Sequence, residues 1–295
     1  MSSAFDELSP AQLTERITEK ARSLGASVVG VADVEPLKVS PSHCLSPKVG
    51  MGLETRRRDA PDEVAPVEVT WPPDAVSAVV IGVAHPASRP ELDWYDGKGT
   101  PGNRLLIGMT KELSGWLEQE YGIPTHRPPY FIESDGVFMK DAAVHAGLGS
   151  IGHNNLVITP EFGPRVRWRV LLLDRAAQAT GPLDYDPCDG CDEPCRRACP
   201  VGAFDETAYD ASALGQSELP ATDGTYDRIT CNAKMSQDVE DAAAALATSD
   251  EDQRDLADTM NAFEEQEMAL TPADGTPTYG VKYCRRCELS CVVGG

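Results

Sequence analysis

The sequence has no apolar run long enough to cross a membrane, although 41% of its 295 residues are hydrophobic. Its first residues show neither the basic and apolar pattern of a secretory signal nor a twin-arginine motif. We therefore expect a chain that folds around its own core in the cytoplasm, without a membrane partner. A disulfide framework is disfavoured, because the nine cysteines are odd in number and a chain of this length does not need one.

Basic residues are also scarce. The chain has 26 Lys and Arg against 47 Asp and Glu, which gives a formal net charge of -21. A negative field of this kind repels phosphate backbones, and it argues against tRNA as a partner without excluding it. The acidic residues are spread along the whole chain, so a solvated surface adapted to a salty cytoplasm explains them better than one acidic docking site.

Eight of the nine cysteines belong to one arrangement. Residues 188–200 read C-x2-C-x3-C-x3-C-P, one residue longer than the two-cluster ferredoxin spacing, in which the cysteine before proline ligates the other cluster. Residues 284–291 read C-x2-C-x3-C, and Cys231 lies alone between the two runs. This spacing predicts two [4Fe-4S] clusters to which each run lends its last cysteine.

The first predicted cluster would be held by Cys188, Cys191, Cys195 and Cys291, and the second by Cys199, Cys231, Cys284 and Cys287. Two zinc sites of four cysteines each are the alternative, since tetrahedral zinc also accepts four thiolates. Zinc, however, gives no reason for the Cys-Pro pair or for the isolated Cys231. We therefore favour iron-sulfur clusters.

Apolar periodicity and turn residues predict the order of the other elements. They are a helix begun by Ser9 and ended by Gly25, strands at 26–32 and 76–84, a helix through 106–117 ended by Gly122, a helix at 137–146 and a strand at 165–174. The Pro- and Gly-rich stretch 33–73 predicts a long loop that folds over a ligand, with His43 and Cys44 packed or exposed rather than catalytic.

Two further patterns concern ligands. Gly147, Gly149 and Gly152 are spaced G-x-G-x-x-G, but they follow a helix and enter a strand, the reverse of a nucleotide-binding loop. A better interpretation is a backbone surface that a large planar ligand can approach closely. Arginines at 165, 167 and 169 alternate on one face of the last strand, which predicts either an anion site or a solvated sheet face.

Taken together, these motifs resemble the epoxyqueuosine reductases and the corrinoid-dependent reductive dehalogenases. The resemblance rests on the helix and strand over 17–33, the segment 140–160, the first cysteine run, and Cys231 with the closing run. It implies an α+β fold in which a nitroreductase-like domain (1–181) binds cobalamin. A ferredoxin-like domain (182–295) would carry both clusters and an acidic helical insertion at about 236–270.

The resemblance also implies the cofactor site and the acid. Cobalamin would lie beside Gly147, Gly149, Gly152, His153, Asn154, Asn155 and Arg165. FMN is the alternative, because nitroreductase-like domains also hold flavins and the arginines could take its phosphate. Glu133 and Ser134 occupy the positions where the family carries its proton donor, with Tyr130 nearby. Glu133 could serve as the acid if burial raised its pKa, or it could cap the helix that follows.

The function implied is that of an oxidoreductase that removes oxygen or halide from a small organic substrate. Electrons would come from an external low-potential donor of the ferredoxin or flavodoxin type and pass through the clusters. The alternatives are an electron-transfer or corrinoid-reactivating protein, a flavin-dependent reductase, and an enzyme that reduces epoxyqueuosine in tRNA.

Overall fold

The protein is described by a computed structural model. The structure describes residues 8–49, 69–86, 88–95, 99–130, 132, 136–210, 213, 224–247 and 283–294. Its strands are β1 (Val28–Asp33), β2 (Ser77–Ala84), β3 (Thr125–His126), β4 (Ser150–Ile151), β5 (Val157–Ile158) and β6 (Val166–Leu173). Its α-helices are α1 (Pro10–Ser23), α2 (Val34–Lys38), α3 (Pro41–Val49), α4 (Pro101–Tyr121), α5 (Met139–His145), α6 (Pro194–Arg197), α7 (Arg228–Ala247) and α8 (Arg286–Leu289). A short 3-10 helix covers Pro90–Asp93.

A four-stranded antiparallel sheet in the order β1-β2-β6-β3 is the centre of the fold. Strands β4 and β5 form a separate antiparallel ribbon. Every residue of β2 is buried, as its continuous apolar sequence predicts for a central strand covered on both faces. Helices cover both sides of this sheet, so the predicted α+β class is confirmed, whereas the division into domains at residue 181 stays a prediction.

Helices α1 and α4 cover one face of the sheet. Ser9 and Gln12 form the capping box that starts α1, and Gly122 ends α4 in the left-handed conformation with φ 62°. The apolar side chains of both helices pack on odd-numbered sheet positions. This layer contains Leu13, Ile17, Leu106, Leu113, Leu117, Val79, Ile81, Leu171 and Leu173.

Helices α2 and α5 cover the opposite face, where Val34, Ala142 and Ala146 pack on alternate sheet residues such as Val80 and Leu172. The prediction that 33–73 is one long loop is wrong for its first part, which forms α2 and α3. Both helices carry proline in their first turn, where the missing N–H costs no helical hydrogen bond, so a signal taken for a loop marks helix starts. Residues 50–68 of the predicted loop lie outside the described part of the chain.

The cysteine-rich segments pack around α6 and α8, which contact each other. The predicted acidic insertion at 236–270 overlaps the second half of α7 up to Ala247, and its remainder lies outside the described residues. No helix in the described part of the chain is both long and apolar enough to span a bilayer.

Candidate active site

The structure brings the seven cysteines of the two runs and the isolated Cys231 together in two groups. In the first, burial raises the pKa of the Cys188 thiol, and Cys191 and Cys291 lie close enough for their charges to raise it further. Burial and the charges of Cys188, Cys191 and Cys291 likewise raise the pKa of Cys195. In the second, burial and the charges of Cys199 and Cys284 raise the pKa of the Cys231 thiol, and burial and the charges of Cys199, Cys231 and Cys284 raise the pKa of Cys287. These are the two crossed sets that the spacing predicts, and we call them the first and the second cysteine group. The pKa of Cys195 is raised to about 11, and burial is the largest cause of this shift.

The sulfurs within each group are further apart than the ligands of a single zinc ion. Tetrahedral zinc, with Zn–S bonds of about 2.3 Å, would hold its four sulfurs about 3.8 Å apart. Among the described residues, the only three candidate ligand atoms within 4.8 Å of one another belong to His85, Asp93 and Glu288. No three sulfurs of either group therefore lie within 4.8 Å of one another, so they are further apart than the ligands of a bound zinc ion.

Backbone amides reach both cysteine groups. The N–H of His153 donates to Cys188 Sγ at 3.4 Å, and the N–H of Ala203 donates to Cys199 Sγ at 3.3 Å. Hydrogen bonds to sulfur are among the features that set a cluster's reduction potential. A Cβ at Gly152 would lie 2.3 Å from Ile158 Cδ1 and 3.2 Å from Cys188 Sγ, so this glycine lets the chain pack closely against both Ile158 and the first group.

The other two predicted glycines have a different role. A Cβ on Gly147 would collide with the backbone of Thr180 and Gly181, and one on Gly149 would lie 2.3 Å from the carbonyl oxygen of Ile158. Neither glycine lines the cavity described below. Packing of the chain on itself thus explains why these two positions are glycine, and their predicted contact with a cofactor stays a prediction.

A cavity of about 360 Å³ lies between β6, α5, α7 and α8, and its volume falls in the range of small-molecule sites. Cys231, Cys284 and Cys287 of the second cysteine group line one side, and Asn154 and Asn155 line another. The predicted cofactor-binding asparagines and three cluster cysteines therefore meet in one cavity.

The two asparagines offer it unused hydrogen-bonding groups. Both residues are only 2% exposed, and Asn154 Nδ2 and Asn155 Oδ1 have no hydrogen-bond partner. A buried polar atom without a partner is costly, so the pair points to a ligand that can both accept and donate. The carboxamide side chains around a corrin ring do both, so the two asparagines are compatible with a corrinoid without selecting it over other amide-bearing ligands.

Six ionisable or polar side chains form a third wall, which we call the charged wall. Its members are His85, Asp93, Arg167, Tyr283, Arg285 and Glu288, and all six line the cavity. Asp93 is at its centre: its carboxylate pairs with Arg167, lies 2.7 Å from Arg285 Nε, and accepts from the Tyr283 hydroxyl at 3.1 Å. Arg285 also pairs with Glu288 and donates to His85 Nδ1 at 2.7 Å.

Burial sets the protonation states in this wall. It lowers the pKa of His85 to about 3, so the imidazole is neutral and Nδ1 can accept from Arg285. It raises the pKa of Glu288 to about 7, with Arg285 opposing the shift. Burial also opposes ionisation of Asp93, but Arg167 and Arg285 hold the pKa of this carboxyl below its usual value.

The charged wall revises the prediction for the arginines of β6. Their face is buried, so the solvated alternative is wrong: Arg165 and Arg169 are each 5% exposed. Arg167 pairs with Asp93, an anion that the protein itself supplies. Arg165 donates to the carbonyl of Gly294 at 2.8 Å and does not line the cavity.

Of the remaining predicted site residues, one lines the cavity, one lies outside its lining, and two lie outside the described residues. Tyr130 lines the cavity, where its ring packs 4.6 Å from the Arg169 guanidinium. His153 lies outside the lining and approaches Glu193, with Nδ1 2.5 Å from the carboxylate. Glu133 and Ser134 lie outside the described residues, so their predicted roles stay predictions.

A second buried network holds α3 against α5. Asp141 accepts from the Ser40 hydroxyl at 2.6 Å and from the Ser42 hydroxyl and N–H at 2.7 and 3.0 Å. His43 Nε2 accepts from the N–H of Phe138 at 3.2 Å, and Nδ1 faces Ser40 at 2.9 Å. Burial lowers the pKa of His43 to about 4, which keeps the ring neutral and able to accept. His43 is thus a packed residue, and it anchors the chain just before α5.

Comparison with known proteins gives these features a context. No protein-family profile matches the chain. It is 28% identical over 213 residues to an epoxyqueuosine reductase of Pseudomonas aeruginosa, an alignment that covers 66% of this chain and 56% of the relative. It is 26% identical over 228 residues to the tetrachloroethene reductive dehalogenase of Sulfurospirillum multivorans, which covers 68% of this chain and 42% of the relative. The predicted resemblance to these reductases is confirmed.

Solved structures show a shared fold. A crystal structure of an epoxyqueuosine reductase superposes with a TM-score of 0.56 and 19% identity, and the match covers 96% of this chain and 66% of that one. Another epoxyqueuosine reductase, crystallised with an epoxyqueuosine-modified tRNA stem loop, gives 0.50 and 21% over 73% of this chain and 55% of that one. The chain spans little more than half the length of the Pseudomonas relative.

Proposed function

We propose that the chain is a corrinoid- and iron-sulfur-dependent reductase of the epoxyqueuosine reductase type. One observation carries the proposal: a single cavity is lined both by three cysteines of the second group and by the unpartnered Asn154 and Asn155. A cofactor in this cavity would lie beside a source of single electrons. The resemblance to two kinds of reductase supports the same conclusion.

The two kinds of proposed cofactor would supply different parts of the chemistry. A corrinoid, when bound, supplies a strong two-electron nucleophile or reductant, and [4Fe-4S] clusters held by the two cysteine groups supply single electrons from an external low-potential donor. The chain's own residues hold and surround these groups. Asn154 and Asn155 bind carboxamides, the charged wall fixes Cys284 and Cys287 against β6, and Tyr130 closes the cavity near Arg169. Glu133 is the proposed proton donor, at the position where the family keeps its acid.

The flavin alternative gains no support from these comparisons. Two of the three arginines predicted to take its phosphate contact the protein itself: Arg167 pairs with Asp93, and Arg165 donates to the carbonyl of Gly294. The electron-transfer alternative remains testable, because a protein of that kind would carry clusters and turn over no substrate of its own.

For the substrate, we propose epoxyqueuosine in tRNA ahead of a small organohalide. The net charge of the chain argues against tRNA as a substrate. An acidic chain can nevertheless bind RNA through one local surface. A protein of the same fold was also crystallised with a modified tRNA stem loop. The relative named as a tetrachloroethene dehalogenase keeps the organohalide as the second candidate.

The test is anaerobic reconstitution of the purified chain with clusters, followed by cobalamin or FMN in parallel. The expected result is binding of cobalamin but not FMN, followed by reduction of epoxyqueuosine in tRNA, measured by mass spectrometry of the nucleosides. Chloride release from tetrachloroethene in a parallel assay would favour the second candidate. Binding of FMN alone would refute the corrinoid proposal, and intact cofactors without turnover of either substrate would favour an electron-transfer protein.

A further inference from the structure

Two adjacent arginines lie between Cys284 and Cys287 of the second cysteine group, and the structure places them differently. The Arg285 side chain is 8% exposed and lines the cavity. Arg286 is exposed to solvent and does not line it. The same charge therefore occurs twice beside the same cysteines, once in a buried setting and once in water.

The buried arginine is held by side chains from distant parts of the chain. Its Nε lies 2.7 Å from Asp93, at the end of the 3-10 helix, and its NH2 donates at 2.7 Å to His85, directly after β2. Glu288 of α8 pairs with it from the same segment. Asp93 in turn pairs with Arg167 on β6. Arg285 thus fastens the segment that carries two cysteines of the second group to one end of the two central strands, β2 and β6.

The burial of Arg285 and its charge together would let it influence the reduction potential of a nearby cluster. A buried charge acts on its neighbours through a low effective dielectric, whereas an exposed charge is screened by water and salt. One-electron reduction of a [4Fe-4S] cluster from the 2+ to the 1+ state adds a negative charge, which a nearby buried cation stabilises and a nearby buried anion opposes.

We propose that Arg285 is a positioning residue for the cluster of the second cysteine group, and that with Asp93 it sets that cluster's reduction potential. The inference rests on the proposed function, because it requires that the group holds a cluster. Arg285 would favour the reduced state, and the two carboxyl groups paired with it, those of Asp93 and Glu288, would limit that effect. The cluster facing the cavity would then be tuned by a pair that belongs to the cavity wall itself.

The experiment is a redox titration of the cluster-loaded protein, followed by electron paramagnetic resonance, with the signal of each cluster resolved. Arg285→Gln is expected to move the one-electron equilibrium of the second group's cluster about tenfold towards the oxidised form, which equals a midpoint about 59 mV lower. The cluster of the first group should keep its potential. Arg286→Gln is the matched control, because it removes the same charge one position away, and it should leave both potentials unchanged.

The direction of the potential shift in Asp93→Asn distinguishes an effect of charge from damage to the fold. This variant removes a negative charge from the same pair, so it should raise the potential that Arg285→Gln lowers, whereas simple damage to the fold would shift both variants in one direction. Equal shifts in Arg285→Gln and Arg286→Gln, or shifts of one sign in Arg285→Gln and Asp93→Asn, would overturn the proposal. If Arg285→Gln does not fold, Arg285→Lys, which keeps the charge, should stay within a factor of three of the wild-type equilibrium, and a larger shift would count against the role of charge.

A wild-type protein without iron and sulfide would mean that the proposed function fails. That result appears in the metal analysis, before any titration, so the two failures are distinguishable.

Discussion

The apolar layer between α4 and the sheet and the charged wall of the cavity are buried to a similar degree, but they are built from opposite chemistry. Leu113 and Leu117 are 0% exposed among other aliphatic side chains, while His85 and Asp93 are 3% and 4% exposed among charged and polar ones. Apolar burial stabilises a fold, whereas a buried ion network rarely stabilises it more than apolar residues would. The charged wall is therefore better explained by function than by stability, and the following predictions test that difference.

The largest expected effect is loss of a whole cluster. Cys287→Ala should remove about four of about eight iron atoms and abolish the signal of the second group's cluster, because a thiolate ligand is missing. Cys291→Ala, only four positions further on, should instead abolish the signal of the first group's cluster. Iron analysis and electron paramagnetic resonance measure both, and Cys44→Ala is the control, since Cys44 belongs to neither group. Loss of the same signal in Cys287→Ala and Cys291→Ala would contradict the crossed assignment.

The next effect compares the two buried regions directly. Asp93→Ala leaves Arg167 and Arg285 without their common carboxylate and should lower the free energy of unfolding by about 3–5 kcal/mol. Leu113→Ala opens a cavity in the apolar layer and should cost about 2–5 kcal/mol. Urea unfolding under argon, followed by circular dichroism, measures both losses. Only Asp93→Ala should also change the cluster signals, and an unchanged spectrum in that variant would show that the wall and the second cysteine group are independent.

A smaller effect is expected at the asparagines. Asn154→Ala removes a donor for a corrinoid carboxamide, and at the usual worth of one hydrogen bond it should weaken cobalamin binding about threefold to tenfold. Asn103→Ala is the matched control, because Asn103 is also buried with an unpartnered oxygen but does not line the cavity. Absorbance titration with cobalamin gives both affinities. Equal losses in the two variants would remove the asparagines from the binding site.

The smallest effect concerns pH and His43. Its pKa is about 4 in the folded protein and about 6.5 in the unfolded chain, so between these values the unfolded state binds a proton that the folded state does not. Acid should therefore destabilise the fold through His43 by about 1 kcal/mol between pH 6.5 and 5.5. His43→Gln should make the stability profile shallower by that amount over this interval. Parallel profiles for the two proteins would show that the pKa of His43 is the same in the folded protein and in the unfolded chain.

Much of the apolar region could be predicted from the sequence, because its signals are local. The spacing of Leu13, Ile17 and Ala21 marks the buried face of α1, and the apolar run 77–84 marks a central strand. The short helices α2 and α3 could not be predicted, since their first-turn prolines also occur in loops.

The site divides in the same way. The two cysteine groups followed from spacing within short runs, together with the isolated Cys231. The charged wall could not be predicted, because His85 and Arg285 are 200 residues apart and only the fold brings them together. Nothing in the sequence near Asp93 distinguishes it from the many acidic residues that lie in solvent. The polar residue directly after a buried strand, His85, is the one local signal that could have led to the wall.

The central claim is that the two cysteine groups each hold a [4Fe-4S] cluster, the second of them beside the cavity. Anaerobic purification followed by iron, zinc and acid-labile sulfide analysis tests it most directly. The account predicts about eight iron and eight sulfide per chain. Stoichiometric zinc without sulfide would contradict it.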